Sequence, residues 1–118
     1  MWQLPETLRE LDDGGDSEVV LDLIEAFESD TTSRFERLRD AMTQRDAARV
    51  KAEGHSLRGS ARQMGADELA ELWQGVENAT LQPDWAAVES QAVQGEKLFA
   101  KVRAEMAQWA EARRRSGV

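Results

Sequence analysis

The side chains best suited to chemistry fall in one short stretch, His55-Ser56-Leu57-Arg58-Gly59-Ser60-Ala61-Arg62-Gln63-Met64-Gly65, which holds the only histidine of the chain. Free histidine titrates at about 6.5, so an imidazole with a free lone pair is a nucleophile available at neutral pH. Taking about 100° per residue and placing His55 at zero, the apolar stripe of its helix centres roughly 130° away. Lys51, Arg58, Gly59 and Arg62 fall within about 60° of His55 on the same reckoning. One helix face therefore reads Lys-His-Arg-Gly-Arg, and that combination suits an imidazole that carries a phosphoryl group. Arg58, three residues on, and Lys51, four residues back, are helical neighbours able to offset the new negative charge. Gly59, one turn on, removes bulk, so that a second protein can bring its reactive group close. A glycine inside a helix costs about 1 kcal/mol against alanine, and its presence asks for a reason.

The plain alternatives have weight. A lone histidine on a helix surface is by default only a solvated residue, and a Lys/Arg cluster is by default a solvated face. Gly54 and Gly59 could also serve close helix packing.

The rest of the chain reads as the scaffold that positions this face. Leu4, Leu8 and Leu11 share one side of a short segment in which Pro5 suits a first helical turn, ended by Gly14-Gly15. Asp16 or Ser17 can cap a long helix whose apolar positions run from Val20 through Leu23, Ile24, Phe27, Thr31, Phe35 and Leu38 to Met42. Asp46 can cap the next helix, which ends at Gly65, a natural left-handed residue after a helix. A fourth helix starts near Ala66 with the stripe Leu69, Leu72, Trp73 and Val76. Leu81-Gln82-Pro83 makes the next break, with Pro83 suited to a first helical position. The last helix carries Trp85, Val88, Ala92, Phe99, Val102, Met106 and Trp109. Met42, Met64, Met106, Trp73, Trp85 and Trp109 are expected in the core, and Trp2 as packing or docking surface. No strand-like alternation occurs. Short connections between long amphipathic helices force antiparallel neighbours. The expected fold is all-α: an up-down four-helix bundle over residues 16–112, with a short N-terminal helix and linker in 1–15 and a frayed basic tail in 113–118.

Hairpin arithmetic extends this to neighbours of His55. The turn near Gly65 puts Gln74 to Glu77 level with it, and either Gln74 or Glu77 could hydrogen-bond the imidazole and set its tautomer. The turn near Arg45 puts Arg34 or Phe35 level with it on the long helix.

Composition narrows the function classes. The chain has 118 residues, 41% hydrophobic and 32% charged, and this fits one soluble domain. A net charge of −8 argues against nucleic acid or an anionic membrane as the main partner. With no cysteine and one histidine, neither a disulfide framework nor a zinc site is expected. No signal peptide or membrane span is expected, and the expected location is the cytoplasm. A hydrolase or metal enzyme has little to be built from. A structural oligomerisation protein would show an uninterrupted heptad seam, whereas these stripes are wider and break at each turn.

The stretch Gly54-His55-Ser56-Leu57-Arg58-Gly59-Ser60-Ala61-Arg62-Gln63-Met64-Gly65 resembles the signature of the histidine phosphotransfer (HPt) domain family, Ala-His-x-Leu-Lys-Gly-Ser-(Ser/Ala)-x-x-x-Gly on one helix of a four-helix bundle. Helix number, order and loop placement from about Asp16 to Ala112 are similar as well. The resemblance implies a phosphorelay intermediate in two-component signalling, with His55 phosphorylated and Arg58 stabilising the phosphoryl charge. It implies a docking face of Lys51, Ser56, Gly59 and Arg62 for receiver domains of response regulators or for a histidine kinase. It implies a monomer with no cofactor of its own and no intrinsic kinase activity, the receiver supplying the aspartate and Mg²⁺. The alternative within the family is a docking module that regulates a kinase or receiver without carrying phosphate. Two departures stand out: Arg58 replaces the usual lysine, a flat fork for a compact ammonium, and Gly54 stands where alanine is common.

Overall fold

The computed structural model describes residues 1–116 as five helices: α1 (Glu6–Asp13), α2 (Ser17–Thr43), α3 (Ala47–Gln63), α4 (Asp67–Asn78) and α5 (Trp85–Ser116). Their ends follow from local chemistry. Gly15, Arg45 and Gly65 each adopt a left-handed backbone, with φ of 92°, 55° and 72°. After each, an N–H returns to a carbonyl in the last turn of the helix just ended: Asp16 to Leu11 at 2.8 Å, Asp46 to Ala41 at 3.0 Å, Ala66 to Ala61 at 2.8 Å. These bonds satisfy carbonyls that a helix end leaves open. Glycine takes that conformation freely. Arg45 does not, and its guanidinium lies over the Trp85 ring at 5.2 Å, an attraction that helps offset the strain.

Helix starts differ in detail from the sequence expectation. The Asp46 carboxylate accepts the Arg49 N–H as predicted. Pro5 stands just before the first turn of α1, with ψ at 155°, and not inside it. Pro83 lies in the turn, and Asp84 caps α5 instead by accepting the Ala87 N–H at 3.0 Å. At the start of α2 the Asp16 side chain makes no capping bond, while the Ser17 hydroxyl donates to Asp12 at 2.6 Å.

The four long helices form an antiparallel bundle in which α2 packs on α3, α3 on α4, α4 on α5, and α5 closes back on α2. At about 1.5 Å per residue α2 and α5 span about 40 and 48 Å, matching a molecule of 51 × 20 × 19 Å. Helices α3 and α4 are shorter, and α1 covers the end of the bundle where they stop. Trp2, Leu4 and Leu8 are buried there. The Trp2 indole N–H donates to the Met64 carbonyl at 2.7 Å, so Trp2 is packing. Met42, Met64 and Met106 are core, whereas Trp85 and Trp109 are only half-buried.

Trp73 sets the rotation of α4. It is fully buried and packs against α5 at Gly95, where an added Cβ would stand 2.6 Å from its ring. With Trp73 fixed inward toward α5, the adjacent Gln74 and the next-turn Glu77 turn toward α3. On the facing side Gly54 lets α4 approach: a Cβ there would touch Val76 and Glu77 at 3.4 Å.

Helix α5 runs through Ser116, into the segment expected as a tail, and within that segment the Arg113 guanidinium pairs with the buried Asp12 carboxylate of α1. Gly117 and Val118 of the expected tail lie outside the described residues. Among the described residues no helix is long and apolar enough to cross a membrane.

Candidate functional site

Midway along α3, His55 projects from the bundle with its side chain 67% exposed. Its two ring nitrogens have different surroundings. Nδ1 lies 3.2 Å from Glu77 Oε1 and 2.8 Å from Arg58 Nη2. Nε2 makes no hydrogen bond among the described residues, and the side chain as a whole is largely exposed.

Glu77 is a buried carboxylate, 7% exposed, on the last turn of α4. A buried carboxylate is costly unless a charge faces it. Arg58 supplies that charge, with Nε 3.0 Å from Glu77 Oε2. The contact is an ion pair, and Oε2 has no hydrogen-bond donor. Arg58 Nη1 donates to Gln74 Oε1 one turn earlier on α4, and Gln74 Nε2 donates to Asn78 Oδ1 at 3.1 Å. The Thr80 hydroxyl donates to the Glu77 carbonyl at 2.6 Å and ties down the end of α4. The imidazole thus stands against a fork-shaped cation and a carboxylate, both held by a second helix.

Four of the expected residues meet here: His55 and Arg58 from α3, Gln74 and Glu77 from α4. The others lie around them. Lys51, Gly59 and Arg62 are exposed and Ser56 is half-buried. A Cβ on Gly59 would meet nothing within 4 Å, so packing does not demand a glycine there. Among the described residues Lys51 and Arg62 have no carboxylate within ion-pair distance. The face is locally basic on an acidic protein.

Helix α2 contributes differently from the expectation. Arg34 pairs with Asp30 at 3.0 Å and Glu53 at 3.5 Å, and Phe35 is tilted against Trp73 with centroids 6.0 Å apart. No hydrogen bond or ion pair joins either to His55. The level along the axis was legible, but the rotation of α2 turns Arg34 to the α2–α3 seam and Phe35 to the core. Sequence reasoning also missed Asn78, for which the i, i+4 spacing from Gln74 was the available signal. Beyond Gly59, an open groove between α1, α2 and α3 is lined by Leu8, Leu23, Phe27, Ser60 and Met64. Leu23, one of the apolar positions read along the long helix, is 39% exposed at its edge.

Among the described residues no group of three or more His, Cys, Asp or Glu side chains is placed to hold a metal ion. What the arrangement offers is an oriented, accessible imidazole with positive charge beside it and clear space one turn away.

The Hpt domain family matches residues 22–112, and the chain belongs to that family. Its bundle is similar to the crystal structure of histidine-containing phosphotransfer protein B (HptB) from Pseudomonas aeruginosa PAO1. The TM-score is 0.82 at 25% identity, covering 92% of this chain and 95% of that one. No curated protein matches in direct sequence comparison.

Proposed function

We propose that this protein is a phosphorelay carrier whose His55 accepts a phosphoryl group from a receiver aspartate or a histidine kinase and passes it to another receiver. The observation that carries the reading is the asymmetry of the imidazole: Nδ1 stands against the buried Glu77, while Nε2 has no hydrogen-bond partner among the described residues on a largely exposed side chain. With Glu77 accepting from Nδ1–H, the lone pair lies on Nε2. Nε2 attacks phosphorus of an aspartyl phosphate; the N–P bond forms as the bond from phosphorus to the aspartyl oxygen breaks, and its electron pair leaves on the carboxylate. Positive charge then develops on the ring, and Glu77 takes up the strain by accepting more strongly from Nδ1–H.

Arg58 is the residue placed to balance the charge of the transferred group, with Lys51 and Arg62 adding a basic surround. Phosphoryl transfer of this kind needs mostly positioning and electrostatic stabilisation. The partner receiver brings its own aspartate and Mg²⁺. Gly59 and Ser56, with Lys51 and Arg62, form the face against which that receiver docks, and the groove past Ser60 extends it.

The test is transfer from phosphorylated receivers to wild type and to His55→Gln. Acid-labile, alkali-stable label on the wild type and none on the variant supports the reading. Binding of receivers without any label would replace it with the docking-only regulator.

A further inference from the structure

Two groups of opposite kind reach the same ring nitrogen, and they cannot both be satisfied in one protonation state. Arg58 Nη2, 2.8 Å from Nδ1, can only donate. The Glu77 carboxylate, 3.2 Å from the same atom, can only accept. When Arg58 donates, Nδ1 is bare and a neutral ring carries its proton on Nε2. When Glu77 accepts, Nδ1 carries the proton and Nε2 is bare.

Arg58 is held for this contact at three points. Nη2 meets His55, Nη1 meets Gln74 and Nε meets Glu77. A planar fork with five N–H groups spans all three, whereas a compact ammonium has no such geometry. Its side chain is only 20% exposed, against 67% for His55, so the guanidinium lies packed along the surface beside the ring.

We infer that Arg58 sets the tautomer of His55: it competes with Glu77 for Nδ1 and holds much of the resting protein in the Nε2–H form, whose one lone pair lies on Nδ1 against Arg58, so that Nε2 has none with which to attack phosphorus. The inference rests on His55 being the phosphoryl acceptor. It gives Arg58 two successive roles. At rest it shields Nδ1 from Glu77. When a phosphoryl group arrives, its oxygens draw the guanidinium away and leave Nδ1 to the carboxylate. The ring then loses the Nε2 proton to water and takes one back on Nδ1, so no net proton is consumed. The nucleophile forms as the phosphoryl group docks, and an unengaged His55 reacts slowly with stray donors.

The measurement is the ¹⁵N shift of both ring nitrogens of His55, the only histidine, at a pH where free imidazole is neutral. Bare and protonated nitrogens resonate far apart, so the ratio of tautomers is read directly. Arg58→Ala should raise the ratio of Nδ1–H to Nε2–H about tenfold, which corresponds to about 1.4 kcal/mol. Glu77→Gln, nearly isosteric, should lower it. The inference stands only if the two ratios move in these opposite directions. An unchanged ratio in Arg58→Ala, or movement the same way in both variants, overturns it. Labelling by phosphoramidate is a separate readout. A wild type that takes label while the ratios stay still overturns the tautomer role alone; one that takes no label from phosphoramidate or any receiver overturns the acceptor reading.

Discussion

Substituting Gly59 by Gln separates folding from docking, because the two should respond in opposite directions. Glycine in a helix interior is about 1 kcal/mol less favourable than alanine, and glutamine is close to alanine. A Cβ at Gly59 meets nothing within 4 Å, so no steric penalty offsets that gain. The variant should be more stable by about 0.5–1 kcal/mol, raising Tm by about 2–6 °C for a domain of this size. Function should move the other way. The new side chain stands one turn from His55, on the face proposed above to receive the partner's aspartate. Misplacement of reacting groups by about 1 Å can cost on the order of 100-fold in rate, and a loss of that size is expected for transfer from a phosphorylated receiver. Thermal melts by circular dichroism and a timed transfer assay measure the two effects on one sample. A lowered Tm would show that the glycine serves the fold. A receiver that transfers at the wild-type rate would remove Gly59 from the docking face.

Three further substitutions probe the scaffold and the charge beside the ring. At Gly95 the same kind of change is unfavourable: Gly95→Ala drives a methyl to 2.6 Å from the buried Trp73 ring, and overpacking of about 1–3 kcal/mol should outweigh the helix gain and lower the urea midpoint. Asp12 is held below the usual carboxylate range of about 3.8, first by its hydrogen bond from Arg113 and then by that from Ser17. Its folded-state pKa is depressed, so its contribution is present above that range and is lost as the pH falls below it, through the lowered folded-state pKa. Asp12→Asn should therefore melt below wild type at pH 7, with the gap closing under acid; a gap that is constant with pH would contradict the pairing. Arg58→Ala should shorten the lifetime of the phosphorylated form by removing the nearest cation, measured as loss of label after the donor is withdrawn, and an unchanged lifetime would take Arg58 out of phosphoryl stabilisation.

Much of this architecture was legible in the residues. The capping Asp46 and the left-handed Gly65 bound α3, and the stripe of Leu69, Trp73 and Val76 announces α4. Because a tight turn joins these two helices, counting outward from Gly65 was enough to bring Gln74 and Glu77 level with His55. The same count failed to reach the ring from α2. There the height was right, but rotation about the helix axis is set by side chains such as Phe35 of α2 and Trp73 of α4, which pack on each other and, through Trp73, on α5. Pro5 and Pro83 misled because proline fits not only a first helical turn but also the cap position, as Pro5 does, and the residue before a cap, as Pro83 does. The Asp12–Arg113 pair joins residues 101 positions apart, and nothing local hints at it. The doubly engaged Nδ1 is likewise a product of three side chains meeting, not of any one motif.

The most direct test is incorporation of label from phosphorylated receivers, with phosphoramidate as a partner-free donor, into wild type and His55→Gln side by side. The account predicts acid-labile, alkali-stable label on the wild type, none on His55→Gln, and the same helical melt for both. Equal labelling of the variant, or no label on a folded wild type that binds receivers, would contradict it.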